Sequence, residues 1–171
     1  MTYQNKHAVS LQARMKLIMK LFSCVVFLVM ASVTSPVSAE RQGTYKIEMI
    51  SPQGNRAIFQ AELAHTPKTR RIGLMRRSSL ARDRGMLFVW PQIAQRQFWM
   101  KNTLIPLDIL FFSEDMVLVH IVRSAQPLSE ELLSSQFPVR YVFEIQGGLA
   151  QKLGLNLGTR MVLHTALPQA Q

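Results

Sequence analysis

The side chains best suited to chemistry lie in segment 99–108, which combines aromatic, cationic, amide, hydroxyl and carboxylate groups. If this segment begins as an extended strand, Trp99, Lys101 and Thr103 share one face, because side chains alternate along a strand. An aromatic ring, a cation and a hydroxyl on one face are suited to a polar ligand such as a sugar. The candidate ligand-binding residues are Trp99, Lys101, Asn102, Thr103, Asp108 and Glu144.

A structural role for the same segment is the stronger alternative. Trp99 and Met100 would then fill core space. Asn102 and Thr103 would close a turn with their short side chains, and Asp108 would accept amide hydrogens in the loop. A ligand site requires an opening beside Trp99, whereas the structural interpretation requires that this stretch be sealed.

Two acidic residues, Asp108 and Glu144, fall within otherwise apolar stretches. If both faced one cleft about 5 to 10 Å apart, they would suit a hydrolase of envelope polysaccharide, with Lys101 as an electrostatic helper. Alternatively, each acid is buried beside a cation, because an unpaired buried charge is costly. Lys101, Arg71 and Arg140 are the natural partners, and Asp108 would then be a stability residue.

Basic residues dominate segment 68–84, where seven cations accompany one acid, Asp83. We expect four of them to form a surface for an anionic partner. These four are Arg70, Arg71, Arg76 and Arg77. For an exported protein the partner would be an anionic glycan or a lipid headgroup rather than nucleic acid. A solvated surface is the simpler interpretation of the same run.

Metal and cofactor signals are weak. Methionines with His65, His120 and His164 could hold copper(I), but no two of these histidines lie within five residues of each other. Methionines in apolar strands are typical of flexible core filler. The Gly-x-Ser-x-Gly, phosphate-loop and dinucleotide-binding patterns are missing. We therefore expect no metal, no cofactor and no recognised catalytic motif.

Short apolar segments punctuated by prolines predict about eight strands. Alternation in residues 45–50 and 57–64, across the turn at 51–55, predicts a hairpin. The continuous apolar runs 86–90 and 109–112 predict core strands covered on both faces. Further strands are predicted at 117–122, 139–145 and 160–164.

Helical signals are few. Thr66 followed by Pro67 predicts a capped helix through residue 75, and residues 149–153 predict a second helix that ends at Gly154. Hydrophobic residues make up 48% and charged residues 18% of the 171 residues, which excludes a disordered chain. The expected fold is mainly β: a compact β-sandwich or squashed barrel with two short helices.

Residues 1–39 have the pattern of a secretory signal peptide, with a basic start, an uncharged apolar run and small residues up to Ala39. The run is shorter than the roughly 20 residues of a membrane-spanning helix, so no anchor is expected after processing. We expect a single domain from Glu40 onward, periplasmic or secreted, with Met15 as an alternative start. Cys24, the single cysteine, lies in this leader, so the mature domain has no disulfide.

Several ordered motifs together resemble the family called domain of unknown function 192. They are Gly-Leu-Met-Arg at 73–76, Gly-Met-Leu-Phe at 85–88, Phe-Trp-Met-Lys-Asn-Thr at 98–103, Pro-Leu-Asp-Ile at 106–109, and Arg-Tyr-Val-Phe-Glu at 140–144 before Gly148. The resemblance is collinear over residues 47–163. It implies a compact, mainly β domain, often exported, with no established activity. Phe143 departs from the family, which often has leucine there.

Three functions remain open. The favoured one is non-enzymatic binding of a polar or anionic envelope ligand or partner, in a cleft rimmed by basic residues. The formal net charge of +10 favours anionic contacts without identifying them. The alternatives are the hydrolase that uses Asp108 and Glu144, and a structural or accessory envelope protein.

Overall fold

A computed structural model of the chain describes residues 43–171, which lie in one compact unit. The predicted signal peptide, its cleavage after Ala39, the alternative start at Met15 and the position of Cys24 lie outside the described residues. Among residues 43–171, no helix has the length and apolar character needed to span a bilayer.

Seven strands and two short helices make up the described part of the chain. They are β1 Tyr45–Ile50, β2 Arg56–Ala64, α1 Pro67–Ile72, β3 Arg84–Phe98, β4 Leu107–Phe112, β5 Leu118–Ala125, β6 Leu133–Gln146, α2 Leu149–Lys152 and β7 Arg160–Leu163. The prediction of a mainly β fold with two short helices is confirmed, with seven strands where about eight were expected. Strands β3 and β6 extend well beyond their predicted bounds, through polar and proline-containing stretches.

The strands form one curled sheet in the order β5-β4-β6-β3-β2-β1-β7, in which only β2 and β3 are parallel neighbours. The two edge strands approach each other at one end, where Val117 bridges Arg160 and the Leu118 amide donates to the Thr159 carbonyl at 2.8 Å. The sheet is therefore a half-barrel. Of the two predicted architectures, the squashed barrel describes it better than the sandwich.

Both faces of the sheet carry a core, because β4 and β6 are apolar on both sides. The inner core receives side chains from all seven strands and from α2; its members include Ile47, Phe59, Leu87, Leu110, Phe143 and Met161. The outer core lies over β3, β6 and β4; its members include Met86, Phe88, Met100, Ile109, Phe111 and Val142. Burial on both sides explains why these strands are continuous apolar runs.

Gly85 allows β3 to approach β6 closely. A Cβ atom at this position would lie 2.5 Å from the ring of Phe143 and 2.7 Å from the carbonyl oxygen of Glu144. A side chain would therefore push the central strands apart. The glycine also keeps Phe143 in place, and that ring packs edge-on against Phe59 with centroids 5.3 Å apart.

Helix α1 begins as predicted. Thr66 is the N-cap, its hydroxyl accepts from the Thr69 amide, and Pro67 occupies the first helical turn, where its missing N–H has no cost. The helix ends at Ile72 rather than at residue 75, because Gly73 adopts a positive φ of 50°. A Cβ there would lie 3.2 Å from Phe88, so this glycine lets the chain pass closely over the outer core.

Asp108 is fully buried on the inner face and joins three parts of the fold. One oxygen accepts from the amides of Ser124 at 2.7 Å and Gly148 at 2.9 Å, and the other accepts from Ala150 at 2.8 Å. The bond to Ser124 holds an irregular stretch of β5, and the other two hold the start of α2. The structural interpretation of Asp108 is therefore correct, with backbone amides in place of the expected cation.

We predict that Asp108→Asn lowers the free energy of unfolding by roughly 3 kcal/mol. The side-chain amide would lose the charge-assisted bonds and would turn an N–H group toward the Ala150 N–H group. Chemical denaturation of a chain that begins at Glu40 measures the change. Asp115→Asn, in the exposed turn between β4 and β5, is the matched control and should change the stability by less than about 0.5 kcal/mol. Equal effects of the two substitutions would contradict this role for Asp108.

Candidate functional site

A cavity of about 320 Å³ opens on the outer side of the sheet. Glu144 of β6 and Phe88 of β3 contribute from the sheet, and the end of α1 with the turn after it contributes a wall. The opposite wall comes from the end of β3 and the loop that follows it. The lining side chains with polar or aromatic character are Arg70, Arg71, Phe88, Trp90, Gln97, Phe98, Trp99, Thr103 and Glu144.

Glu144 is the acidic group of this cavity. Its neighbours across the sheet are Met86 on β3 and Ile109 on β4, so both flanks of the carboxyl are apolar. Within residues 43–171 it makes no ion pair or hydrogen bond through its side chain, and only 5% of the residue is exposed. Burial alone raises the pKa of Glu144 to about 8. The group is therefore a neutral carboxylic acid at pH 7.

Aromatic rings line the cavity that contains this acid. Phe88 and Trp90 are stacked with centroids 6.2 Å apart, and Phe98 meets both edge-on at 5.2 and 6.0 Å. Phe98 also contacts Phe111 of β4 edge-on at 5.8 Å. Such a cluster fixes the wall rigidly, since aromatic pairs of this geometry add to the area that they bury. The cavity is therefore a preformed site with an aromatic wall, a protonated carboxyl at its floor, and further polar side chains such as Gln97 and Thr103 in its lining.

The segment 99–108 divides between the cavity and other roles. Trp99 and Thr103 line the cavity, so the prediction of an opening beside Trp99 agrees with the structure. The assumption of an extended strand to residue 103 is wrong. β3 ends at Phe98, the Thr103 amide bonds back to the Met100 carbonyl at 2.9 Å, and Asn102 closes the turn in a left-handed conformation.

Lys101 and Asn102 do not line the cavity. Lys101 pairs with Glu130 at 3.2 Å and lies over the Trp99 ring at 5.3 Å, on the solvent side. Asn102 contributes its carbonyl, which accepts from the Arg76 amide at 2.8 Å and joins the two loops. Asn102 therefore lies in a turn as the structural interpretation expected, but it contributes through its backbone instead of through the predicted side chain. Lys101 supports Trp99 from outside.

Asp108 and Glu144 point to opposite faces of the sheet. Glu144 is directly opposite Ile109, whereas Asp108 is opposite Ile145, and residues opposite each other in an antiparallel pair share a face. The two carboxyls cannot act together on one bond, so the predicted hydrolase pair is wrong. The expected cation beside each buried acid is also wrong. Arg140 pairs with Glu114 at 3.0 Å instead.

The four arginines of the predicted anionic-partner surface have different environments. Arg70 donates to the carbonyls of His65 and Val89 at 2.7 and 2.8 Å, and Arg77 makes a two-pronged ion pair with Glu62. Both guanidinium groups are therefore occupied. Arg71 and Arg76 are exposed and make no ion pair with any residue that the structure describes. Arg71 also lines the cavity mouth.

Trp90 and Arg96 were not among the predicted site residues. The Arg96 guanidinium lies 4.6 Å from the centre of the Trp90 ring, and that of Arg70 lies 5.5 Å away, so two cations hold this indole in place. Both cations have lowered pKa values through burial, and in Arg96 the positive charge of Arg70 adds to the effect. The sequence offered one signal, an indole next to Pro91 at the end of an apolar run.

A larger hollow of about 680 Å³ lies between β3, β6 and the segment 163–170. Its ionisable residues include Arg140, which pairs with Glu114, and His164, which lies 3.2 Å from Glu48. Because both charged groups already form ion pairs, through Arg140 Nη1 and His164 Nε2, the smaller Glu144 cavity is the better candidate site. Within residues 43–171, no three His, Cys, Asp or Glu side chains cluster in a way that could hold a metal ion.

Residues 48–163 match the family model of domain of unknown function 192, which is described as an uncharacterised family. The chain belongs to this family. The match covers nearly the same range as the resemblance in the sequence, and it includes every lining residue of the Glu144 cavity.

Two solved structures are similar to the chain. One is a proposed transcription regulator from Sinorhizobium meliloti, with 36% identity, a TM-score of 0.70, and coverage of 71% of this chain and 95% of that one. The other is a protein of unknown function from Novosphingobium aromaticivorans, with 36% identity, a TM-score of 0.69, and coverage of 74% and 89%. No match was found among curated proteins.

The raised pKa of Glu144 predicts a specific pH dependence of stability. In the unfolded chain the carboxyl loses its proton near pH 4.5, whereas in the folded protein it keeps the proton to about pH 8. Between these values the unfolded state binds fewer protons, so stability falls as pH rises. Burial of Glu144 therefore lowers the free energy of unfolding by about 3 kcal/mol at pH 7 relative to pH 4.

We therefore predict that Glu144→Gln stabilises the domain increasingly between pH 4.5 and 8, because the amide cannot ionise. The difference in unfolding free energy between variant and wild type should grow by about 1.4 kcal/mol per pH unit and level off above pH 8. Denaturation at half-unit pH steps measures it. Glu114→Gln, on an exposed ion pair, is the control and should show no such slope. If the difference in unfolding free energy between Glu144→Gln and wild type did not change with pH, Glu144 would not be a neutral buried acid.

Proposed function

We propose that the protein binds a small polar ligand in the Glu144 cavity and catalyses no reaction on it. The observation that carries this proposal is the combination of an unpartnered, protonated carboxyl with an open, aromatic-lined cavity. A buried carboxyl of this kind lowers stability, so its presence is better explained by binding than by folding. The hydrolase alternative requires Asp108 and Glu144 in one cleft, and they lie on opposite faces of the sheet. A purely structural role leaves the hollow beside Trp99 unexplained.

The chemistry of the lining indicates the class of ligand. A neutral carboxyl both donates and accepts hydrogen bonds, which matches a hydroxyl, amide or carbonyl group rather than a cation. The Thr103 hydroxyl and the Gln97 amide are further polar groups in the lining. Flat aromatic surfaces suit the apolar face of a ring, and Arg71 at the mouth suits an acidic substituent. We therefore favour a sugar acid or the acidic end of a glycan.

The cavity should be detectable by intrinsic fluorescence, because the two tryptophans of the chain, Trp90 and Trp99, both line it. We expect glucuronic acid to change the emission in a saturable way at pH 6, and glucose to bind more weakly. Above pH 8 binding should weaken, since an ionised Glu144 would repel the sugar carboxylate. The measurement is a fluorescence titration, supported by a thermal shift.

Three variants test whether this binding uses the cavity. Glu144→Leu keeps the volume apolar and should weaken binding by about tenfold or more, whereas Glu144→Gln should keep part of the affinity. Trp99→Phe should also weaken binding. Phe137→Ser, at an exposed apolar side chain that does not line the cavity, is the control. Unchanged emission and unchanged melting temperature with every sugar tested, between pH 5 and 9, would overturn the proposal.

The proposed setting is the cell envelope, on the basis of the leader pattern in residues 1–39. We predict that the exported protein begins at Glu40, which intact-mass measurement of the periplasmic or secreted fraction would show. Ala39→Gln should block this processing, because the cleavage site needs a small residue at that position. A cell-associated chain that retains the leader in the wild type would contradict export.

A further inference from the structure

Four exposed apolar side chains surround the mouth of the Glu144 cavity, and we call them the apolar rim: Ile72, Trp99, Leu104 and Leu128. Each is between 44% and 60% exposed. Ile72 and Trp99 line the mouth itself. Leu104 and Leu128 lie beside it, because the Leu128 amide donates to the Thr103 carbonyl at 3.1 Å. Clustered exposed apolar side chains of this size are a mark of an interaction site.

The backbone holds these side chains outward. Leu128 has a positive φ of 62°, which a branched residue adopts only when the surrounding chain requires it. Its loop is fixed at a second point, where the Met100 amide donates to the Ser129 carbonyl at 2.9 Å. The loop after β3 and the loop before β6 are therefore joined by two hydrogen bonds, and both carry exposed apolar side chains.

The rim is bordered by cations. Arg71 lies at the mouth next to Ile72, and Arg76 is tied by its amide to the Asn102 carbonyl in the same loop as Trp99. Both are exposed, and the segment from Thr66 to Arg82 contains no acid in its sequence. The neighbouring acid Glu130 is neutralised by Lys101. The rim therefore combines apolar anchors with two arginines that make no ion pair among residues 43–171, against one exposed acid, Glu131.

We propose that this surface docks on an anionic lipid bilayer and holds the cavity mouth at the membrane. Exposed Trp and Leu side chains enter the boundary between headgroups and acyl chains, while Arg side chains reach lipid phosphates. The positive charge of Arg71 and Arg76 favours a bilayer over a second copy of the chain as the partner of this surface. A second copy of this chain would bring the same cations face to face, whereas an anionic bilayer complements them. This docking is independent of what the Glu144 cavity binds.

Vesicle flotation tests the proposal with the mature protein. Binding to vesicles with 30% phosphatidylglycerol should exceed binding to pure phosphatidylcholine by about tenfold or more, and should fall in 0.5 M salt. Arg71→Gln with Arg76→Gln should weaken binding roughly twenty-five-fold, since each cation near the surface contributes about fivefold. Leu128→Ser should weaken it as well. Glu131→Gln should strengthen binding, because it removes an exposed acid from the same loop.

Matched controls lie away from the rim. Arg160→Gln on β7 and Leu157→Ser, at a leucine as exposed as Leu128, should leave vesicle binding unchanged. In a Trp90→Phe background, the emission of Trp99 should shift to the blue on anionic vesicles only. Glu144→Gln should bind vesicles like the wild type, so that failure of docking and failure of the cavity proposal are separate results.

Three outcomes would overturn the docking proposal. One is equal binding to neutral and anionic vesicles, and another is no binding to either. The third is a concentration-dependent dimer, detected by sedimentation velocity and lost in Leu128→Ser, which would assign the rim to a second copy of the chain.

Discussion

The register of β4 against β6 decides which side of the sheet each buried acid occupies. Ile109 lies opposite Glu144, and Asp108 lies opposite Ile145, so adjacent positions on neighbouring strands direct one carboxyl inward and the other outward. A shift of one residue in this register would move each side chain of the shifted strand, its acid and its apolar residues alike, to the opposite face of the sheet. Gly85 stabilises the arrangement, because only a glycine allows β3 to lie so close to β6 at this level.

The two acids then acquire opposite properties from their surroundings. Asp108 accepts hydrogen bonds from three backbone amides, which tie α2 and β5 to the sheet. Glu144 has apolar neighbours and no partner among the described residues, so burial favours its neutral form. One carboxylate therefore stabilises the half-barrel, while the other is kept protonated at the floor of a cavity. Chemically similar side chains in one sheet thus have separate roles.

Local patterns predicted most of the fold. Alternation located β1 and β2, continuous apolar runs located the beginning of β3 and most of β4, and Thr66 with Pro67 located the start of α1. The candidate site was harder to predict from the sequence, because its residues come from segments that are far apart in the chain and meet only in the folded sheet. Glu62 reaches Arg77 from β2 and removes it from the basic surface. No local signal shows such a pairing, nor the left-handed conformation of Asn102 in the turn that replaces the expected strand.

The irregular part of β3 explains both why the extension of this strand was not predicted and how the aromatic wall of the cavity forms. Between Val89 and Ala94 the pairing with β6 shifts, so β3 has more residues there than its partner, and Pro91 lies within the shift with no amide to donate. Polar residues and a proline hid this extension from pattern analysis. The same irregularity brings Trp90 and Phe98, eight positions apart in the sequence, into edge-on contact at 6.0 Å. A regular strand would place them farther apart than that, so the departure from regular pairing is what builds the aromatic wall over Glu144.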